Sequence, residues 1–254
     1  MVAASHSLPL ISVITACFNG AEFITNAIES VLSQTYPRLE YLIIDGGSTD
    51  GTVEIIRRYA PRLAYWHSQP DRGLAHAFNL GLAQAKGEWI LFLNADDYLA
   101  DATVLERMAP HLLKAGEADV VFGQIAFIPR QQTKPENLTD IRGGPWRWSR
   151  FRFTCTIPHQ AAFTRRRFFQ GMGVFEEGKR ATMDYEHYLR AGRRLKTVFV
   201  PQLVSLMRDG GASQDVQKIL EEWRDAQLAN RSAPSWMVWG NYLCRLLWNK
   251  LTRR

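Results

Sequence analysis

Trp89-Ile90-Leu91-Phe92-Leu93-Asn94-Ala95-Asp96-Asp97, residues 89–97, runs from unbroken apolar side chains straight into acids. The apolar part is short, follows the helix-stopping pair Lys86-Gly87, and reads as a strand buried on both faces. Upstream, Leu74, Ala77, Phe78, Gly81, Leu82 and Ala85 repeat at helical spacing, and Leu63–His67 reads as another strand. Glu40–Ile44 is a strand closing on Asp45-Gly46-Gly47, with Ser48 or Asp50 placed to cap a helix running to about Tyr59. Leu10–Ala16 opens the series, followed by Ile24, Ala27, Ile28, Val31 and Leu32 on one helix face that Tyr36-Pro37 ends. A βαβαβαβ order with near-continuously apolar strands predicts an α/β fold, a mostly parallel sheet flanked by helices. Ligands of such sheets bind beyond the carboxyl ends of the strands. Asp45, Asp71 and Asp96 each stand at or just past a strand end, so one crevice is expected to hold all three.

Past residue 100 a helix (Thr103–Lys114) and a strand (Asp119–Phe127) continue the pattern, and then it changes. Residues 129–156 are loop-rich and carry the basic aromatic run Trp146-Arg147-Trp148-Ser149-Arg150-Phe151-Arg152-Phe153. Ile157–Thr164 reads as a strand, Met183–Arg193 as a helix and Thr197–Met207 as extended chain. Ser213 is placed to cap a helix through about Asn230, and Pro234 separates it from a final helix, roughly Trp236–Leu251.

The 254 residues are 46% hydrophobic and 22% charged, which excludes disorder over most of the chain. Cys17, Cys155 and Cys244 are too few and too scattered for a disulfide framework or a cysteine zinc site. No basic flank precedes an apolar run at the N-terminus, and no apolar stretch reaches the ~18 residues of a spanning helix, so neither a signal peptide nor a membrane span is expected. The reading is a soluble or peripheral protein of a reducing, cytoplasmic compartment. An isoelectric point near 9.4 suggests nucleic acid, but the distribution argues against it. Residues 1–140 carry 10 basic and 16 acidic residues, a net of −6. Residues 141–175 carry 7 arginines and no acid, and residues 231–254 carry 5 cations and no acid.

Acids at strand ends suit a divalent cation meeting a phosphate, because Mg²⁺ takes oxygen ligands, typically one or two carboxylates plus substrate phosphates. Asp96 is the expected ligand, with Asp97 supporting it or capping a helix. From Ser12 to about Ser213 the chain resembles the family 2 glycosyltransferases, which have a GT-A fold. The resemblance is carried by Thr15-Ala16-Cys17-Phe18-Asn19-Gly20, Tyr41–Thr52, Asp71-Arg72-Gly73, Asn79-Leu80-Gly81, Ala85-Lys86-Gly87-Glu88, Leu93-Asn94-Ala95-Asp96-Asp97, Pro158-His159-Gln160 and Met183-Asp184-Tyr185-Glu186. The variants Leu-Asn-Ala-Asp-Asp and Met-Asp-Tyr-Glu look most like the branch that builds bacterial exopolysaccharides such as colanic acid.

The resemblance implies an enzyme that moves a sugar, with inversion, from a nucleotide diphosphate sugar, UDP favoured, to a lipid-linked saccharide or polysaccharide. Thr15 and Asn19 would line the nucleotide crevice, Asp45 would accept from the base, and Asp71 and Gly73 would shape the pocket with Asn94 and Ala95. Asp96 would hold Mg²⁺ or Mn²⁺ on the diphosphate, and Asp184 would be the base that deprotonates the acceptor hydroxyl. His159 and Gln160 would face the acceptor or diphosphate side, and Gly210-Gly211-Ala212-Ser213 resembles a loop closing over the donor. Residues 1–232 would form the GT-A domain, with a donor half to about 127 and an acceptor half after it; residues 233–254 would be a basic amphipathic helix.

Departures from the family pattern matter. Asn94 stands where the family commonly has Asp, keeping an oxygen but losing a charge. The Gln-x-x-Arg-Trp signature of processive synthases is absent, so one sugar per encounter is expected, and Trp223-Arg224 reads as helix surface. The arginine block with its interleaved aromatics suits an anionic acceptor or lipid headgroups. In the tail, Asn241, Arg245, Asn249 and Thr252 form a polar stripe, with Trp236, Trp239, Leu243, Leu246 and Leu247 elsewhere, the pattern of a helix lying on anionic lipid or packed on protein. Nucleotidyl transfer on a similar scaffold, and a non-catalytic nucleic-acid- or carbohydrate-binding protein, are the competing readings.

Overall fold

The computed structural model describes residues 8–132, 138, 140–179, 181–209 and 215–252. Four parallel strands form one half of a single sheet: β1 (Ile11–Cys17), β2 (Leu39–Asp45), β3 (Tyr65–Ser68) and β4 (Trp89–Asn94), in the order β3-β2-β1-β4. Between them run α1 (Ile24–Leu32), α2 (Thr52–Tyr59) and α3 (Leu74–Gln84). The alternation of β1 explains why its sequence is apolar throughout. Ile11 and Val13 pack with α1, α2 and α4 (Val104–Lys114), while Ile14 and Ala16 pack with α3 on the opposite face. Gly81 lets α3 come close, since a Cβ there would lie 2.4 Å from Ile14 Cγ2. After β1 the chain steps outward to β2 and β3 and then returns to β4 on the other side of β1. The loops leaving Cys17 and Asn94 therefore part, and a crevice opens between them.

The sheet continues as β4-β8-β6-β9-β5 through β5 (Tyr98–Leu99), β6 (Val120–Ile128), β8 (Ala162–Arg165) and β9 (Thr197–Arg208), with β7 (Ile141–Arg142) paired to β6. β6 and β9 are parallel, while β8 is antiparallel to both β4 and β6. The antiparallel register Tyr98↔Leu206 and Leu99↔Ser205 carries the end of β9 to the acids that follow β4. Three more helices, α6 (Arg166–Met172), α7 (Met183–Ala191) and α8 (Val216–Ala229), follow a single turn α5 (Trp148–Phe151), and α9 (Ser235–Thr252) packs along α8.

Several expectations are corrected. Ile157–Thr164 is not one strand: a 3₁₀ turn, His159–Ala161, follows Pro158 before β8 begins, which frees His159 and Gln160 from the ladder. The cap of α2 is Gly51 at φ 96°, and Asp50 acts one residue earlier, accepting from Thr52 N–H at 3.1 Å. Ser213 lies outside the described residues, and Asp215 caps α8 by accepting from Lys218 N–H at 3.1 Å. Of the aromatic run, Phe151 is fully buried, its carbonyl accepting from Tyr185 Oη at 2.9 Å, while Trp146, Trp148 and Phe153 are half-buried. Among the described residues no helix is long and apolar enough to cross a membrane.

Candidate active site

A cavity of about 1090 Å³ opens where the loops part. One wall begins with Asn19, held in the left-handed region at φ 48°, where asparagine is tolerated. Asn19 Oδ1 accepts from Thr49 N–H at 3.0 Å, Asn19 N–H donates to Ser48 Oγ at 2.7 Å, and Gly20 N–H donates to Thr52 Oγ1 at 2.9 Å. These bonds tie the turn after β1 to the turn after β2. Asp45 anchors that second turn from beneath. It is fully buried and accepts from Gly47 N–H at 3.1 Å, Ser48 N–H at 2.9 Å and Ser68 Oγ at 2.7 Å. Burial alone would raise its carboxyl, but the Ser48 and Ser68 donors outweigh burial and hold it below the usual range. Asp71 lies against the same turn: a Cβ on Gly46 would meet Asp71 Oδ2 at 2.9 Å, and Asp71 Oδ1 accepts from Gly73 N–H at 2.7 Å. Gly73 takes φ 108° at the start of α3. Thr15 faces the interior with its hydroxyl 3.0 Å from Tyr41 Oη, so it supports the sheet beneath the crevice instead of lining it.

The acids after β4 form the cavity floor. Asn94, Ala95, Asp96 and Asp97 all line it. Asp97 is buried and accepts from Asn94 Nδ2 at 3.0 Å, from the Arg208 N–H at 3.2 Å and from Gln160. Burial first, and the charge of Asp96 second, push its carboxyl well above the usual range. Asp96 is also raised, by burial, although Arg130 and Arg208 work against the rise. A cation at Asp96 would relieve that desolvation, and Asn94 Oδ1 is a buried acceptor with no donor. Among the described residues no three His, Cys, Asp or Glu converge as a self-sufficient ligand set. Asp96 and the free Asn94 oxygen are hard oxygen donors of the kind Mg²⁺ or Mn²⁺ takes, too few by themselves to complete a site.

The opposite wall comes from the second half of the chain. Asp184 lies in the first turn of α7, where Thr182 and not Asp184 is the cap, so its carboxylate is free to face the cavity. Asp184 Oδ2 lies 3.8 Å from His159 Nδ1 and 3.9 Å from Cys155 Sγ. His159 stacks on Phe92 at 5.3 Å, burial lowers its proton affinity against the opposing charge of Asp184, and neither ring nitrogen has a hydrogen-bond partner. Burial also raises the Cys155 thiol well above its ordinary value, which makes it a spacer beside Asp184 and not a nucleophile. The structure thus brings Asn19, Asn94, Ala95, Asp96, His159, Gln160 and Asp184 to one cavity, with Asp45, Asp71 and Gly73 shaping the turns beside it.

Two of the lining residues that sequence reasoning missed bear on the chemistry. Trp223, read as helix surface, is half-buried against the Tyr185 ring at 5.7 Å and reaches the cavity. Arg208 reaches it from the end of β9; the available signal was an arginine closing an apolar strand just before Asp209-Gly210-Gly211.

Comparison with known proteins now has a geometry to meet. A family model described as glycosyl transferase family 2 matches residues 12–177. A PGL/p-HBAD biosynthesis glycosyltransferase of Mycobacterium bovis is 33% identical over 186 residues, covering 72% of this chain and 69% of that protein. An uncharacterised glycosyltransferase of Mycobacterium tuberculosis is 31% identical over 191 residues, covering 73% of this chain and 70% of that one. Among solved structures, residues 1–349 of S. aureus TarS in complex with UDP superpose with a TM-score of 0.66 at 20% identity, covering 85% of this chain. This chain spans 65% of that fragment and 39% of a longer TarS chain. The mannosyltransferase PcManGT of Pyrobaculum calidifontis, in complex with GDP-Man and Mn²⁺, gives a TM-score of 0.59 at 20% identity, with 87% of this chain and 61% of that chain covered. The parallel sheet with its continuation through β8, β6 and β9 is the GT-A architecture of these structures, and by family and fold the chain belongs to the family 2 glycosyltransferases.

Proposed function

We propose that the enzyme transfers a single sugar, with inversion, from a nucleoside diphosphate sugar to a hydroxyl of a lipid-linked saccharide or a polysaccharide. The observation that carries this reading is that Asp96 and Asp184, drawn from opposite halves of the chain, line one cavity large enough for a nucleotide sugar and part of an acceptor. TarS with UDP and PcManGT with GDP-Man and Mn²⁺ support the donor class and the metal; the UDP preference rests on the family resemblance. Asp96, with the unpartnered Asn94 oxygen in the same cavity, would hold Mg²⁺ or Mn²⁺, which would neutralise charge on the diphosphate.

The chain's own groups do the rest. A sugar hydroxyl is a weak nucleophile, and Asp184 accepts its proton as the oxygen attacks the anomeric carbon. His159 lines the cavity beside that base, its Nδ1 3.8 Å from Asp184 Oδ2. Gln160 holds Asp97, which in turn holds Asn94 by its amide nitrogen and so turns the Asn94 oxygen free. Arg142, Arg150 and Trp223 line the acceptor side, cations and an aromatic suited to an anionic saccharide. We read residues 1–232 as the catalytic unit and α9 as an anchor on the anionic inner face of the plasma membrane, with surface-polysaccharide assembly as the setting.

The test is a screen of UDP-, GDP- and dTDP-sugars with Mn²⁺, following nucleoside diphosphate release. Asp184→Asn is expected to lower turnover by about 10²–10⁴-fold with its folding intact, and Asp96→Ala to remove the metal response. Wild-type rates in both folded variants would overturn these assignments. Pyrophosphate as product would point instead to nucleotidyl transfer.

A further inference from the structure

The cavity lies at the carboxyl ends of the parallel strands. The amino ends of the same strands, about 20 Å away along the seven residues of β1, border a second hollow of about 360 Å³. Cations from separate stretches of sequence meet there. The parallel register sets Ile11 beside both Leu39 and Trp89, and the antiparallel register sets Trp89 beside Arg165. Arg38 stands just before β2, and Lys86 and Glu88 just before β4. Arg165 ends β8, and Arg166 and Arg167 open α6. One row of the sheet therefore delivers all six side chains to the hollow.

Five cations and one carboxylate line it, and the carboxylate is already spent, because Glu88 pairs with Arg165. Arg165 is fixed further by donating to the Gly116 and Ala118 carbonyls, both at 2.9 Å, and by lying 4.3 Å over the Trp89 ring. Arg167 reaches Glu117, which does not line the hollow, at 3.6 Å. Glu40, behind the hollow, accepts from the Ser12 hydroxyl and from the Lys86 and Gly87 N–H groups. Among the described residues the exposed side chains of Arg38, Lys86 and Arg166 pair with no carboxylate, and Arg38 Nε reaches only the Leu8 carbonyl at 3.4 Å. Like charges gathered in a concave site repel one another and raise the local concentration of anions. The volume falls in the range of small-ligand sites, on the order of 300–1,000 Å³.

We propose that this hollow binds a phosphate group, as an anion site apart from the candidate active site. A phosphate offers several oxygens and up to two charges, enough to engage Arg38, Lys86 and Arg166 together, where a carboxylate has one charge and two oxygens. The phosphate belongs to a dissolved phosphate ester or to a lipid headgroup, which share this chemistry. No residue of the hollow lines the larger cavity, so the proposal stands independently of the donor reading.

The test reads Lys86 directly. Wild-type protein in EDTA is acetylated with a limiting amount of N-hydroxysuccinimidyl acetate, and modification at each lysine is quantified by mass spectrometry. Inorganic pyrophosphate is expected to slow acetylation of Lys86 by about fivefold when the site is about four-fifths occupied. Exposed Lys114 should be unchanged, and sodium chloride of equal ionic strength should have no such effect. Phosphatidylglycerol vesicles form the second arm. Protection by pyrophosphate alone assigns a dissolved phosphate, protection by vesicles alone assigns a headgroup, and protection by both bears out the shared chemistry. Protection by neither overturns the proposal. So does protection that persists undiminished in an Arg38→Gln/Arg166→Gln double variant, whose substitutions are at exposed positions.

Discussion

His187 lies one helical turn past Asp184, stacked on Phe169 at 4.7 Å, with Nε2 2.7 Å from the Gly173 carbonyl. Burial above all lowers its pKa from 6.5 to about 4, so it folds as a neutral ring. The unfolded chain protonates first as pH falls, so this stabilisation is complete above about 6.5 and drains away towards pH 4, up to about 3 kcal/mol in all. Asp97, raised by burial, acts with the opposite sign over the same window but is common to wild type and variant. Urea denaturation at pH 7 and pH 4 should therefore show wild type losing roughly 3 kcal/mol more than His187→Gln; parallel losses would refute the assignment. At this scale Asp96 was legible as an acid just past a strand end, while Asp184 stood out only through the family resemblance. Asp45 was legible as an acid at a strand end, but that its oxygens are already met by Gly47, Ser48 and Ser68 is a fact of packing.

The elements were read well where hydrophobic period was strong. β1, α1, β2, α3 and β4 fall within a residue or two of expectation, because each buries a continuous run or a clean helical face. Short pieces such as β5, β7 and α5 escaped, since two or four residues have no period. Gly81 shows a constraint that no periodicity reveals. Gly81→Ala would push a methyl against Ile14 and Ile44, and we expect an overpacking cost of about 1–3 kcal/mol in chemical denaturation.

α9 buries Val238 and Tyr242 and also turns polar groups inward: Asn241 donates to the Phe153 carbonyl at 3.4 Å and Arg245 lies over the Trp223 ring. Trp236 at 75%, Leu247 at 60%, Trp248 at 70% and Leu251 at 70% exposure are left facing out. Sedimentation with phosphatidylglycerol vesicles should recover the wild type and lose at least about 80% of a Trp236→Ser/Trp248→Ser double variant, since each buried aromatic contributes a few kcal/mol. A wild type that stays in the supernatant and dimerises instead would assign the face to a partner subunit.

For the whole molecule, the charge of +6 is a sum of unlike parts. The first 140 residues are net negative and supply Asp96 and Asp97 to the cavity together with Arg130, while Asp184, Arg142, Arg150 and Arg208 come from later segments. A nucleoside diphosphate sugar binding across that junction should stabilise the fold by mass action, about 2.7 kcal/mol at a hundredfold excess over Kd. Thermal shift with Mn²⁺ should show it, and EDTA or Asp96→Ala should shrink it; an unchanged shift would argue against metal at Asp96.

By itself the sequence determined the parallel sheet, the crevice at its carboxyl ends and the acids that frame it, because strand burial, turn chemistry and motif spacing are local along the chain. Only the tertiary structure decided which residues meet. Thr15 turned inward because β1 alternates between two covered faces. His159 came to Asp184 across a 3₁₀ turn, and the pairing of β5 with β9 delivered Arg208 to the acids from 111 residues away. Such meetings depend on strand order and register, which burial across the whole sheet selects and no single stretch of sequence encodes.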